Sequence, residues 1–274
     1  MILRMENEFK TLKQELKIRG FTEKTRQAYL YHNQKFLGFC QKKSDRVVAQ
    51  DVKDYLEYLI DKKLARDSVR LAYNALLFYY IKILKRQWML DIKIPKKEKK
   101  EPVVLTASEM KRLVEAIQNP KHRQLVELAY ASGVRVSELV KFKVKDILTE
   151  EKIAVVRGGK GKKDRKVILS DKFLADFKGD LNEGEKYLFP GRQGHLTIRS
   201  VQVLLKEAAK KAGIKKRVYP HLLRHSFATH LVEKKVDVKH IQKILGHAHK
   251  KTTERYLHLA NNDIRTVKSP HDCL

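Results

Sequence analysis

The sequence predicts a mainly α-helical protein: a helical N-terminal domain, a short extended linker, and an α-rich second domain with a small antiparallel β-sheet. Three observations predict it. Apolar residues recur at helical spacing over most of the 274-residue chain. One pair of β-branched runs, 152–157 and 165–169, flanks a turn packed with glycine and lysine, which reads as a hairpin. Between Pro95 and Pro102 every residue is charged, so this stretch cannot bury itself and reads as a tether. The expected boundaries are therefore 1–94, a linker at 95–102, and 103–274. A solvated loop inside one domain is the alternative for the linker.

In chain order, Thr22 is placed to cap a helix in which Tyr29, Phe36, Leu37 and Cys40 keep helical spacing. A second helix is expected from Asp51, with Val52, Tyr55, Leu56 and Leu59 on one face. A third is expected from Asp67, its stripe formed by Val69, Ala72, Leu76, Leu77, Tyr80, Ile81 and Leu84. The whole reads as a bundle of about four helices with its aromatics in the core. After the linker, Thr106 and Glu109 have capping-box spacing and open a helix with Leu113, Ala116 and Ile117 inward. Leu125 to Ala131 is the next helix, the hairpin follows, and from about residue 171 the pattern is helical again.

Composition narrows the function. The chain carries 60 Lys+Arg against 32 Asp+Glu, a net charge of +28, and the excess is spread over both halves: 20 against 11 in residues 1–95, 36 against 19 in 103–274. Two basic domains on a basic tether suit a long polyanion rather than a small neutral metabolite. No run of about 18 apolar residues predicts a membrane span. The N-terminal residues show no apolar core of a secretory leader, and Cys40 and Cys273 form no metal or redox motif. A reducing, cytoplasmic setting is expected.

Four strings in the second domain bear chemistry. ASGVRVSELVKF places Arg135 after a glycine turn at the start of a helix, with Leu139 and Val140 on its buried side. GGKGKKDR sets Lys160 between Gly159 and Gly161 in the hairpin turn. PHLLRHSFATHL puts His221 and Arg224 on one helical face. LGHAHKKTTERYLHL holds His247 and, nine residues on, Tyr256. Singly each is ordinary: a lone arginine is usually a surface charge, and a tyrosine in an apolar helix is usually core. Seven of the 11 histidines fall between 221 and 258, and His221 and His225 have metal-ligand spacing, but no third ligand or H-E-x-x-H string accompanies them, so no metal site and no cofactor are expected.

Taken together and in this order, the strings resemble the tyrosine recombinases, the integrase and Xer-type site-specific recombinases. The resemblance runs over nearly the whole chain, and the compact layout is similar to that of the Xer type, its archaeal XerA-like members included. It implies the tyrosine recombinase fold and assigns catalytic roles to Arg135, Lys160, His221, Arg224, His247 and the nucleophile Tyr256. Residue chemistry agrees with those roles. Two arginines offer permanently charged planar forks to phosphate oxygens, the charge stabilisation that Mg²⁺ gives in kinase-type phosphoryl transfer. A lysine on a turn suits a general acid for the leaving 5′-oxygen, and two histidines can donate to phosphate or handle the phenol proton. A tyrosine that keeps the 3′-phosphate conserves the bond, so rejoining needs no ATP. Lys162, Lys163, Arg165 and Lys166 crowd the same turn and are read as contacts to the phosphate backbone. Glu138 reads as a partner holding an arginine, His225 as structural.

The resemblance further implies double-stranded DNA as substrate, a homo-tetramer assembled on two sites, and a tail with Ile264 and Val267 that docks on a neighbouring copy. Resolution of chromosome dimers at a dif-type site, on nucleoid DNA in the cytoplasm, is the expected role. A plasmid or mobile-element integrase with the same chemistry, or a catalytically silent DNA-binding protein, are the alternatives, and an activating partner is left open.

Overall fold

The computed structural model describes residues 9–88, 92, 94, 103–158, 164–177, 186–192, 194–246 and 253. Lys160, His247 and Tyr256 lie outside these residues, as do the whole of the expected linker 95–102, Lys162, Lys163, Cys273 and the C-terminal tail. The chain separates into two compact units, 1–100 and 101–274.

The first unit is helical among its described residues: α1 (Lys10–Ile18), α2 (Glu23–Cys40), α3 (Ala49–Asp61) and α4 (Arg66–Leu77). Thr22 caps α2, its hydroxyl accepting the Thr25 N–H. The starts expected at Asp51 and Asp67 fall inside the first turns instead. Helix α3 begins at Ala49 because the Asp51 carboxylate reaches back to the Val48 N–H at 2.9 Å, satisfying an orphan donor from the third position. The stripe expected to continue along one α-helix is broken after Leu77, where six residues, Phe78–Ile83, form a π-turn. The wider turn puts both Tyr79 and Tyr80 in the core, with Phe9, Phe36 and Tyr55 around them. Asn33 ties α2 to α4 by donating to the Ala75 carbonyl at 3.1 Å.

The second unit contains α5 (Ala107–Glu115), α6 (Pro120–Ser132), α7 (Val136–Leu139), β1 (Ile147–Leu148), β2 (Ile153–Val156), β3 (Arg165–Ile168), α8 (Asp171–Ala175), β4 (Pro190–Gly191), β5 (Gly194–His195), α9 (Ile198–Lys211), α10 (Pro220–Glu233) and α11 (Val238–Leu245). The Thr106–Glu109 capping box forms in both directions. Helix α6 is longer than its apolar pattern, because Asn119 caps it and Pro120 supplies a preset first residue. The hairpin is antiparallel with Val156 opposite Arg165 and Ala154 opposite Val167. Strand β1 adds a third, unexpected member, and β4 with β5 makes a separate ribbon, both too short to carry a period-2 signal. Helix α10 runs through the core: Leu222, Leu223, Phe227 and Ala228 are buried, and so is Arg224 among them.

Candidate active site

The site grows from the two ends of neighbouring helices. Gly133 ends α6 with φ of +60°, a left-handed cap that glycine adopts without strain. A side chain there would also strike the Phe227 ring, at 2.2 Å from its Cδ1. The turn so formed places Arg135 at the cap of α7. Gly246 ends α11 in the same way, with φ of +62°.

A helix leaves its last carbonyls without intrahelical donors. At the end of α11, three consecutive carbonyls each receive one arginine. Arg165 donates from Nε to the Ile244 oxygen at 3.0 Å, Arg224 from Nη2 to Leu245 at 2.6 Å, and Arg135 from Nη2 to Gly246 at 3.3 Å. Cations at a helix C-terminus are also favoured by its dipole. Arg224 donates in addition to the Gly133 carbonyl at 2.7 Å, so it bridges both helix ends. With only 4% of its surface exposed, it keeps a buried charge by satisfying two carbonyls.

Glu138 completes the cluster. Its carboxylate accepts from the Arg135 backbone N–H at 2.9 Å and Nη1 at 2.9 Å, and from Arg165 through a two-toothed pair at 2.9 and 2.7 Å. Burial alone pushes its pKa up, but the Arg165 hydrogen bonds, followed by the Arg135 N–H, bring it down to about 2. Glu138 is therefore a fixed anion that orients arginines, not a base.

His221 stands at the start of α10 on its exposed side. Partial burial of the ring, then the charges of Arg224 and Arg135, push its pKa below the ordinary 6.5, with Glu138 opposing. A neutral imidazole beside two guanidinium groups can donate a hydrogen bond at neutral pH without adding charge. Next to Arg135 opens a cleft of about 600 Å³, lined also by Lys141, Lys143, Arg157 and Tyr187.

The structure thus brings Arg135, His221 and Arg224 together, with Glu138 bonded to Arg135 and within electrostatic reach of His221. Lys160 is not described; on either side of the undescribed residues 159–163, the Asp164 carboxylate accepts the Gly158 N–H at 2.8 Å. One expectation is corrected. Arg165 is not a contact waiting for the DNA backbone, because its side chain is only 11% exposed and is closed onto Glu138 and Ile244. The strand period held the signal: Arg165 lies two residues before buried Val167 and opposite buried Val156, so it faces inward. Lys166, pointing the other way, is exposed. Among the described residues no group of three or more His, Cys, Asp or Glu side chains could hold a metal, and no helix is long and apolar enough to cross a membrane.

Comparison with known proteins gives the family. Residues 9–90 match the phage integrase N-terminal SAM-like domain and residues 103–263 the phage integrase family. A Sinorhizobium fredii protein provisionally described as an integrase/recombinase is 34% identical over 96% of this chain and 88% of its own. Tyrosine recombinase XerA of Pyrococcus horikoshii is 33% identical over 91% of this chain and 88% of its own. A crystal structure of XerA recombinase aligns with a TM-score of 0.54 at 32% identity, covering 94% of this chain and 95% of that one. The fold is shared with XerH bound to a palindromic difH substrate, at a TM-score of 0.70 and 24% identity over 86% and 76%. This chain belongs to the phage integrase family of tyrosine recombinases, enzymes that transfer DNA strands with neither ATP nor metal.

Proposed function

We propose that this protein is a site-specific recombinase that cleaves duplex DNA by attack of the Tyr256 oxygen on the scissile phosphorus. The P–O bond to the 5′-oxygen breaks, Lys160 supplies the proton to that oxygen, and a 3′-phosphotyrosyl link holds the strand until a 5′-hydroxyl reverses the step. Arg135 and Arg224 stabilise charge on the non-bridging oxygens, His221 donates to one of them, and His247 takes or returns the phenol proton. The observation that carries the reading is the seating of Arg135 and Arg224 on the adjacent carbonyls of Gly246 and Leu245.

The same reading assigns residues 1–94 to a core-binding DNA module, 95–102 to a linker and 103–274 to the catalytic domain. The basic excess of both halves supports engagement of the duplex by each. Similarity to XerA supports the finer role: a homo-tetramer joining two dif-type sites to resolve chromosome dimers on nucleoid DNA in the cytoplasm. The likeness to the integrase/recombinase of Sinorhizobium fredii favours a second reading, integration or excision of a mobile element.

Covalent capture tests the reading. Sheared DNA of the source genome, nicked to make cleavage irreversible, is incubated with the protein in EDTA and denatured, and the protein-linked fragments are sequenced. Linked fragments centred on one inverted repeat are expected, with none from Tyr256→Phe although it still binds. A chromosomal locus supports dimer resolution, and the ends of an element support integration. Adducts that survive Tyr256→Phe, or none from the wild type, contradict the chemistry.

A further inference from the structure

Arg165 belongs to none of the six residues given a catalytic role, yet its side chain is bonded into the cluster that holds Arg135. Its guanidinium forms a two-toothed pair with Glu138, at 2.9 and 2.7 Å, and its Nε holds the Ile244 carbonyl at 3.0 Å. Glu138 in turn fixes Arg135 through Nη1 and the backbone N–H. The same Arg165 opens β3, five positions after Lys160, and α11 packs on β3. One planar side chain thus links the strand that leaves the Lys160 turn, the carboxylate that orients Arg135, and the helix end that leads to His247. Its seat is close-fitting: a methyl group on Gly246 would lie 2.9 Å from the Arg165 Cδ. A buried bidentate pair confers orientation as well as energy, since both ends are rigid forks.

We infer that Arg165 is a positioning residue for strand cleavage, holding Arg135 through Glu138 in the orientation that meets the scissile phosphate. This rests on the function proposed above. Loss of the fork would let Arg135 and Glu138 rotate as a pair, and displacement by about an ångström suffices to slow a positioned reaction about 100-fold. Binding of duplex, carried by many phosphate contacts, would change little.

The experiment measures single-turnover adduct formation on a duplex that the wild-type protein captures covalently. Two substrates are used, one with an ordinary scissile phosphate and one with a methylphosphonate there, which lacks the charge that a guanidinium stabilises. Arg165→Ala is expected to slow cleavage of the phosphate about 100-fold with binding within about threefold. On the methylphosphonate much of that loss disappears, as it does for Arg135→Ala. Arg165→Lys, which keeps the charge but not the fork, stays slow on the phosphate and recovers in the same way. If Arg165→Ala does not fold, Arg165→Lys carries the test. Equal slowing on both substrates means a merely structural role and overturns the inference, as does cleavage at the wild-type rate. If the wild type forms no adduct with any duplex, the proposed function falls first. A wild-type adduct with unaffected Arg165 variants sinks this inference alone.

Discussion

Glu138 shows how one carboxylate turns two cations into a fixed instrument. Left alone in its half-buried place it would favour protonation, but Arg165 and Arg135 hold it ionised, with a pKa of about 2 against an ordinary 4.5. Because the folded value is the lower one, the charge contributes stability that is complete above the unfolded pKa. That contribution fades as pH falls from about 4.5 toward 2. Glu138→Gln should therefore melt well below the wild type near pH 7, and the gap should narrow steadily below about pH 4.5. Calorimetry or circular dichroism across that range reads it directly. A gap that is the same at about pH 3 as at pH 7 would mean the ion cluster does not hold the carboxylate as described.

At the scale of elements, two helix ends do most of the positioning. Helix α6 ends at Gly133 and α11 at Gly246, and Arg224 joins the Gly133 carbonyl to that of Leu245, one residue short of the second end. Gly133→Ala forces a side chain into a left-handed conformation and against Phe227, at a cost of about 2–5 kcal/mol. Urea unfolding should show that loss, and a cost under about 1 kcal/mol would refute the packing. Much of this was legible beforehand. Capping residues announced α2 and α5, and the paired β-branched runs announced the hairpin, because those signals are local. The π-turn after Leu77 was not legible, since the same apolar stripe fits either winding until Tyr79 and Tyr80 compete for the core. Nor was the convergence of three arginines on residues 244–246, which depends on carbonyls and therefore leaves no side-chain pattern. Arg165 was misread because its neighbours are exposed lysines, although the alternation toward Val167 pointed it inward.

For the molecule as a whole, the surplus of positive charge and the buried arginine cluster do different work. A net charge of +28, present in both halves, draws a polyanion along the chain and makes binding fall steeply with salt. Such a field does not choose one phosphate. In the mechanism proposed above that choice falls to Arg135 and Arg224, which are bonded to adjacent carbonyls. On that proposal a field gathers DNA and a rigid seat selects one phosphodiester for the nucleophile; what the family match shows is membership of the tyrosine recombinases. The most direct measurement is mass spectrometry of the trapped complex: the adduct is formed in EDTA, digested with nuclease and trypsin, and the modified peptide sequenced. A nucleotide joined through its 3′-phosphate to Tyr256 is expected, at the start of the tryptic peptide that follows Arg255. A nucleotide on any other residue, or an adduct that forms only when a divalent metal is added, would contradict it.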